Sequence, residues 1–337
     1  MSRSVVMSLL LSATLAACGG GSGDDDDTPD GGNTNTGMYY HYVSSSLKTP
    51  AMPADKNAYG LNIDGDPQNT PDNALGGLLQ FLGSQGFTVQ ETIDSSIAMG
   101  SAVMLHSLRA DDLATDASAS WQVYLGDATA APPAFNGMDM FTISAMNQPA
   151  ILQGAIAASA YKGGPGTVVI QLPLVQGQAP LTLHLVGARI DTSISGGSLS
   201  ATAGTGNLGG AITKNELDTI VIPAVAQMVS GLLVEDMCVA AMGMCTCPMG
   251  STGATIESFG LDPNHDCVVT TAEIMGNAAI GAFLAPDLDL LDCMGAMPQT
   301  CDPAVNFKPR TDNVNDSLSL GVRFAMVNGV FTSATEM

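Results

Sequence analysis

Oxygen-bearing side chains recur at alternate positions in the run Asp262-Pro263-Asn264-His265-Asp266-Cys267-Val268-Val269-Thr270-Thr271-Ala272-Glu273. Such a run suits a hard divalent cation, which takes six to eight oxygen ligands in flexible geometry. A second acidic turn, Asn62-Ile63-Asp64-Gly65-Asp66, continues through Pro67, Gln68 and Asn69 to Asp72 and Asn73, with similar donors but no closing glutamate. Further along, Asp287-Leu288-Asp289 and Asp292 precede a cysteine loop, and Asp312-Asn313-Val314-Asn315-Asp316 follows it. Each turn joins acidic residues to an apolar element, which reads as a recurring way of tying strand and helix ends together through cations.

The segment from Asp262 to Glu273 resembles the twelve-residue EF-hand calcium loop and its dockerin variant in exported bacterial proteins. The resemblance implies Ca²⁺ held by the side chains of Asp262, Asn264 and Asp266, the main-chain carbonyl of Val268, the Thr270 hydroxyl or a water on it, and a bidentate Glu273. It also implies that Val269 anchors the loop to the core. Asn62, Asp64, Asp66 and Asp72 read as a damaged or expanded relative of the same loop. The family's sixth position is glycine, for a sharp left-handed turn. Here it is Cys267, for which that conformation costs about 1 kcal/mol, and a disulfide through Cys267 would hold the turn.

The chain opens Met1-Ser2-Arg3-Ser4, runs apolar from Val5 to Leu15, and reaches Leu15-Ala16-Ala17-Cys18. The apolar run is too short to span a bilayer, which takes about twenty residues, and it has the layout of an export signal. Leu-Ala-Ala-Cys resembles the lipobox of bacterial lipoproteins. That resemblance implies removal of residues 1–17 and lipid on Cys18, with the chain tethered to the lipid membrane of the cell envelope. Gly19 beside it fits outer-membrane sorting, facing the periplasm or the cell surface. Residues 18–37, rich in Gly, Asp and Asn, then form a flexible, self-repelling tether.

With Cys18 lipidated, six of the seven cysteines remain: Cys238, Cys245, Cys247, Cys267, Cys293 and Cys301. Outside the cytoplasm disulfides persist, so up to three bridges are expected. Cys293 and Cys301 bracket a short loop and make the simplest pair, while Cys245 and Cys247, one residue apart, are expected to pair elsewhere. A zinc cluster of Cys238, Cys245, Cys247 and Cys267 is disfavoured, because the spacing lacks the two-residue knuckle of structural zinc sites.

These residues must be positioned by the elements between them. Leu75, Leu78, Leu79 and Leu82 predict a helix over 72–83, and a second is expected over 88–99. Short runs rich in strand formers follow at 102–105, 121–125, 140–143, 167–172 and 181–190. Residues 39–52, of mixed polarity, read as a lead-in segment, and Gly204 to Gly210 as a tight strand connection. Leu217 to Leu233 predicts a helix with Pro223 in its first turns. Thr271 to Phe283 predicts the helix leaving the loop, whereas only 255–259 is available to enter it. Ser317 to Phe324 alternates as a strand.

The fold class is α+β: a mainly antiparallel β-sheet system flanked by helices, with a calcium-loop and disulfide-rich C-terminal part. Residues 38–337 form one domain, of which 235–337 is the part rich in cysteine and aspartate. The net charge of −22 argues against a nucleic-acid partner. No nucleophile elbow, His-Glu-x-x-His or Cys-His signature is present. The preferred reading is therefore a noncatalytic calcium-binding envelope lipoprotein with a structural or ligand-binding role, toward a cell-surface protein or carbohydrate. The alternative is a secreted hydrolase of polysaccharide or protein with structural calcium.

Overall fold

A computed structural model describes residues 37–145, 151–175, 177–195, 204–292 and 302–331. The export segment, Cys18, nearly all of the tether, and Cys293 with Cys301 lie outside the described residues.

The strands are β1 (Met38–Lys48), β2 (Val103–Ala110), β3 (Thr115–Ala128), β4 (Phe141–Ile143), β5 (Ile151–Ala157), β6 (Ala160–Leu172), β7 (Leu181–Ile194), β8 (Gly204–Thr213), β9 (Val239–Ala241), β10 (Met244–Thr246) and β11 (Ser317–Asn328). Eight of them close into a barrel. β1, β2, β3, β5, β6, β7, β8 and β11 follow one another around the ring, and β11 returns to β1. Every neighbouring pair is antiparallel. β4 extends from the end of β3, and β9 with β10 forms a separate hairpin. A closed ring leaves no unpaired edge among its members.

Helices enter as two insertions. Pro53–Tyr59, Ala74–Ser84 and Val89–Met99 lie between β1 and β2. Lys214–Glu235, Thr252–Ser258, Thr271–Gly276, Ala278–Phe283 and Pro303–Asn306 lie between β8 and β11. The fold is thus mainly antiparallel β with helices, as expected, and closure is the new element.

Alternation along the strands fills one core. Tyr42, Leu108, Trp121, Leu152, Ile170, Leu185, Leu208 and Leu320 supply it from the eight barrel strands, and Leu78, Ile93, Val229 and Ile274 join it from the helices. Burial of each such side chain stabilises by ~1.5–3 kcal/mol relative to exposure. Val103 and Leu105, out of phase with Met104, face a second cluster with Val43, Tyr124, Phe141 and Phe331. His106 is buried in the main core, where Trp121 Nε1–H donates to its Nδ1 at 3.1 Å and its Nε2 meets Ser44 Oγ at 2.8 Å. Burial pushes His106 down to about 3, so it is a neutral structural group.

Two expectations about the strands change. The lead-in segment is β1, paired on both sides by β2 and β11, with Tyr42 and Leu47 in the main core and Val43 in the second cluster. The glycine run from Gly204 is β8, not a connection. Its neighbours approach so closely that a Cβ on Gly206 would overlap the Thr192 side chain and one on Gly204 the Ser193 carbonyl.

In the Lys214–Glu235 helix a π-helical turn, Leu217–Val221, precedes Pro223. This helix is long and apolar enough to cross a membrane, but half of its apolar window is buried, with Val221, Val225, Val229 and Leu233 packed into the core. The helix expected over 271–283 breaks at Asn277, whose side chain caps the Ala278–Phe283 helix while its Nδ2 donates to the Phe259 carbonyl at 2.9 Å.

Candidate metal centre

The Thr252–Ser258 helix begins at Ser251, whose hydroxyl accepts the Ala254 N–H. Gly260, at φ +65, then turns the chain into the 262–273 loop. Leu261 and Asp262 are buried, Asp262 completely. A buried carboxylate needs hydrogen-bond donors. Asp262 Oδ1 accepts the Asp266 N–H at 3.2 Å and Oδ2 the Cys267 N–H at 2.7 Å.

Asn264 Oδ1 accepts the same Asp266 N–H at 3.1 Å, and Asp266 Oδ1 accepts the Val268 N–H at 2.9 Å. A single main-chain N–H thus gathers Asp262 and Asn264 about Asp266. Cys267 stands at φ +62, the left-handed conformation its place in the loop was expected to require, and it is bonded to Cys245. Val269 is buried and tied to the long helix, donating to Ser230 Oγ at 2.8 Å and accepting from it at 3.0 Å.

Thr270 and Glu273 lie at the other end of the loop as a reciprocal helix cap. Glu273 Oε2 accepts both the Thr270 N–H at 2.8 Å and its hydroxyl at 2.9 Å. The structure therefore brings Asp262, Asn264 and Asp266 together and holds Thr270 with Glu273 in the first turn of the outgoing helix. Val268 is exposed beside them.

Glu257 is a member of this site that sequence spacing did not mark. It lies on the incoming helix, with Oε2 2.9 Å from His265 Nδ1 and Oε1 buried near the Asp262 carboxylate with no neutral or cationic donor among the described residues. Burial, with the Asp262 carboxylate adding repulsion, raises its proton affinity above the usual carboxylate range. A helical acid just ahead of the loop was the available signal, but residues 255–259 alone looked too short to place it.

The turn at Asn62 repeats the local geometry. Asp66 N–H donates to Asn62 Oδ1 at 2.8 Å and Asp64 Oδ1 at 2.9 Å, and Asp66 Oδ1 accepts the Gln68 N–H at 3.2 Å. Gly65, at φ +73, matches His265, at φ +59. The turns differ in charge: Arg310 reaches Asp64 at 2.8 Å and Asp66 at 3.7 Å. The Gln68 N–H and the Thr70 hydroxyl hold Asp66 below the usual carboxylate range. Asp72 Oδ2 accepts the Ile63 N–H at 2.7 Å, and burial pushes this carboxyl up to about 6, with Asp64 and Asp287 adding to the rise.

Of the remaining acidic residues, Asp287, Asp289 and Asp316 join the 287–291 segment to residues 313–319 through main-chain N–H groups. Asp287 binds the Ser319 N–H at 2.7 Å, Asp316 the Leu291 N–H at 2.8 Å, and Asp289 the Asn313 N–H at 2.8 Å. Burial raises the proton affinity of Asp287 and Asp316.

Two disulfides stand beside the centre, Cys238–Cys247 and Cys245–Cys267, with Cα–Cα separations of 4.2 and 5.2 Å. Cys245 and Cys247 pair with different partners, as their spacing suggested. The Sγ atoms of Cys238, Cys245 and Cys247 lie within 4.8 Å of one another, a set that three thiolates could offer a metal. As disulfides these sulfurs are committed to one another. Comparison of the chain with family models, with curated proteins and with solved structures gives no match.

Proposed function

We propose that this chain is a noncatalytic, calcium-stabilised lipoprotein of the bacterial cell envelope, with Ca²⁺ seated in the 262–273 loop. The observation that supports this reading is the contrast between two turns of one hydrogen-bonding geometry. At Asn62–Asp66 the positive charge comes from Arg310. Around Asp262, Asp266 and Glu257, no lysine or arginine ion pair is present among the described residues, and the basic neighbour is His265. Carboxylates gathered about a buried aspartate without a fixed positive charge favour a bound cation.

Asp262, Asn264, Asp266, the Val268 carbonyl, Thr270 and Glu273 would hold Ca²⁺, and Glu273 would exchange its bonds to Thr270 for the ion. Extracellular modules bind Ca²⁺ at roughly 10⁻⁴ to 10⁻³ M, which suits an exported domain anchored through Cys18. Calcium then fixes the segment between β8 and β11, and the barrel serves as a scaffold for a surface protein or carbohydrate ligand.

Calorimetry on chelator-treated protein tests this. Ca²⁺ should bind at millimolar concentration and raise the melting temperature by preferential binding to the folded state. Mg²⁺ should do so poorly, because its small octahedral shell fits such a loop badly. Glu273→Gln should abolish most of the calcium-dependent stabilisation. Equal binding by that variant, or no calcium heat in the parent, would leave the loop as a helix-capping turn.

A further inference from the structure

Arg189 stands on β7 at a disturbance in the barrel wall. The β6–β7 register shifts between Gly163 and Gly166, and the β7–β8 register shifts between Val186 and Arg189. Gly187 within this stretch has φ +62. Irregularities of this kind redirect side chains and cluster at functional sites. Here they flank an open cleft of about 450 Å³ that Arg189 lines together with Lys162, Asn62, Asn69, Asp191 and Asn207. Gly163 and Gly164 contribute main chain alone to the same wall.

The charges in this cleft are distributed unevenly. Lys162 is paired with Asp191 at 2.9 Å. Arg189 makes no ion pair or side-chain hydrogen bond among the described residues, and its Nε is shut off from solvent without a partner. In a chain with 32 acidic and 10 basic residues, every other arginine described has an aromatic, carbonyl or carboxylate neighbour: Arg109 with Tyr39 and the Gly37 carbonyl, Arg323 with Tyr59, and Arg310 with Asp64. A partly desolvated guanidinium without a counter-charge is unfavourable by itself. It is also a planar fork shaped for a carboxylate.

We propose that this cleft binds a carboxylate-bearing ligand, with Arg189 as its anchor. The carboxylate spans the amino groups of the guanidinium on the cleft side. Asn62 is engaged by the Asp66 main chain and Asn207 Nδ2 by the Ala58 carbonyl, which leaves the Asn69 amide nitrogen, the Asn207 amide oxygen and the exposed Lys162 to meet hydroxyl groups, and this suits a uronic acid within a saccharide. A free small carboxylic acid shares the anchoring chemistry and is separated from it by the experiment. The site is independent of the calcium loop, so neither reading depends on the other.

Binding of a galacturonate trimer, of the neutral galactose trimer and of acetate to the full folded protein would be measured by calorimetry and by ligand-observed NMR. The galacturonate trimer should bind, the neutral trimer at least ten-fold more weakly. Acetate binding as tightly as the trimer would assign the free acid as the ligand. Arg189→Gln should lose at least ten-fold in affinity for whichever acid binds, and Arg189→Lys, which keeps the charge but not the fork, should recover only part of it. Lys162→Gln, at the rim, should cost two- to four-fold, and it tests the cleft even if the Arg189 variants fold poorly. Arg189→Gln folded and binding as well as the parent, equal binding of the neutral trimer, or binding of none of the three probes would overturn the proposal.

Discussion

Asp262 Oδ2 accepts the main-chain N–H of Cys267 at 2.7 Å, so the buried carboxylate at the head of the loop closes on the residue that the disulfide to Cys245 holds in a left-handed turn. Loop shape and covalent bridge are therefore coupled. Cys245→Ala should weaken calcium binding several-fold, because Cys267 then bears its conformational cost, about 1 kcal/mol, without the bridge. Cys267→Gly in the Cys245→Ala background should restore much of the affinity, since glycine adopts this turn freely. Calorimetry on the single and double variants reads this, and unchanged affinity in Cys245→Ala would separate the bridge from the loop.

Arg310 provides the converse test. Its guanidinium compensates Asp64 and Asp66, in a turn that otherwise matches the one at Asp262. Arg310→Met should leave the barrel folded and give the Asn62–Asp72 turn an affinity for Ca²⁺ that it lacks while the arginine is present. The calcium stoichiometry should rise by one site. An unchanged stoichiometry would mean that lost charge compensation is not sufficient to create a site there.

The pH dependence follows from Asp72. Its folded pKa is raised by burial from 3.8 to about 6. The protonated form is therefore favoured by folding, so this contribution to stability is complete below the unfolded value and is lost as pH rises through about 6. Asp287 and Asp316 shift in the same direction. Calcium-free protein should lose stability between about pH 4 and pH 7. In Asp72→Asn that loss should be smaller by on the order of 1 kcal/mol, after allowing for the solvent screening of a half-buried group. Urea titrations at stepped pH measure it, and identical profiles for the two proteins would reject the assignment.

Processing and oxidation are read by mass spectrometry. The mature protein should begin at Cys18 with lipid attached, and Cys18→Ser should move it out of the membrane fraction. Nonreducing peptide maps should contain Cys238–Cys247, Cys245–Cys267 and a third bridge between Cys293 and Cys301. Free thiols at Cys245 and Cys267 in protein isolated from the envelope would contradict the geometry around the loop.

Alternation such as that of Leu181, Leu183 and Leu185 with Thr182 and His184 was legible because polarity alone reports a half-buried face. Barrel closure was not, since the β1–β11 pairing joins the two ends of the chain and is set by the twist and register of the whole ring. Nor was β8, where glycines that look like loop punctuation admit close backbone neighbours such as Thr192. At the candidate centre, the alternating donors Asp262, Asn264 and Asp266 were visible as a motif, and so was the demand on Cys267. Glu257 and Arg310 were not, because each reaches its turn from another segment, Arg310 across more than two hundred residues.

The ring is joined by its first and last members, with Tyr42 of β1 set against Asn328 of β11. Nearly the whole chain is a loop to be closed before that contact forms, which implies a high contact order and slow completion of folding. A polypeptide emerging N-terminus first holds β1 beside β2 with its other side open until Ser317–Asn328 has arrived, a stage at which it is vulnerable to proteases and to strand exchange. The same adjacency brings the start of β1 beside the end of β11, so a circular permutant that links them through a short turn and opens the chain elsewhere would convert the slowest closure into a local hairpin.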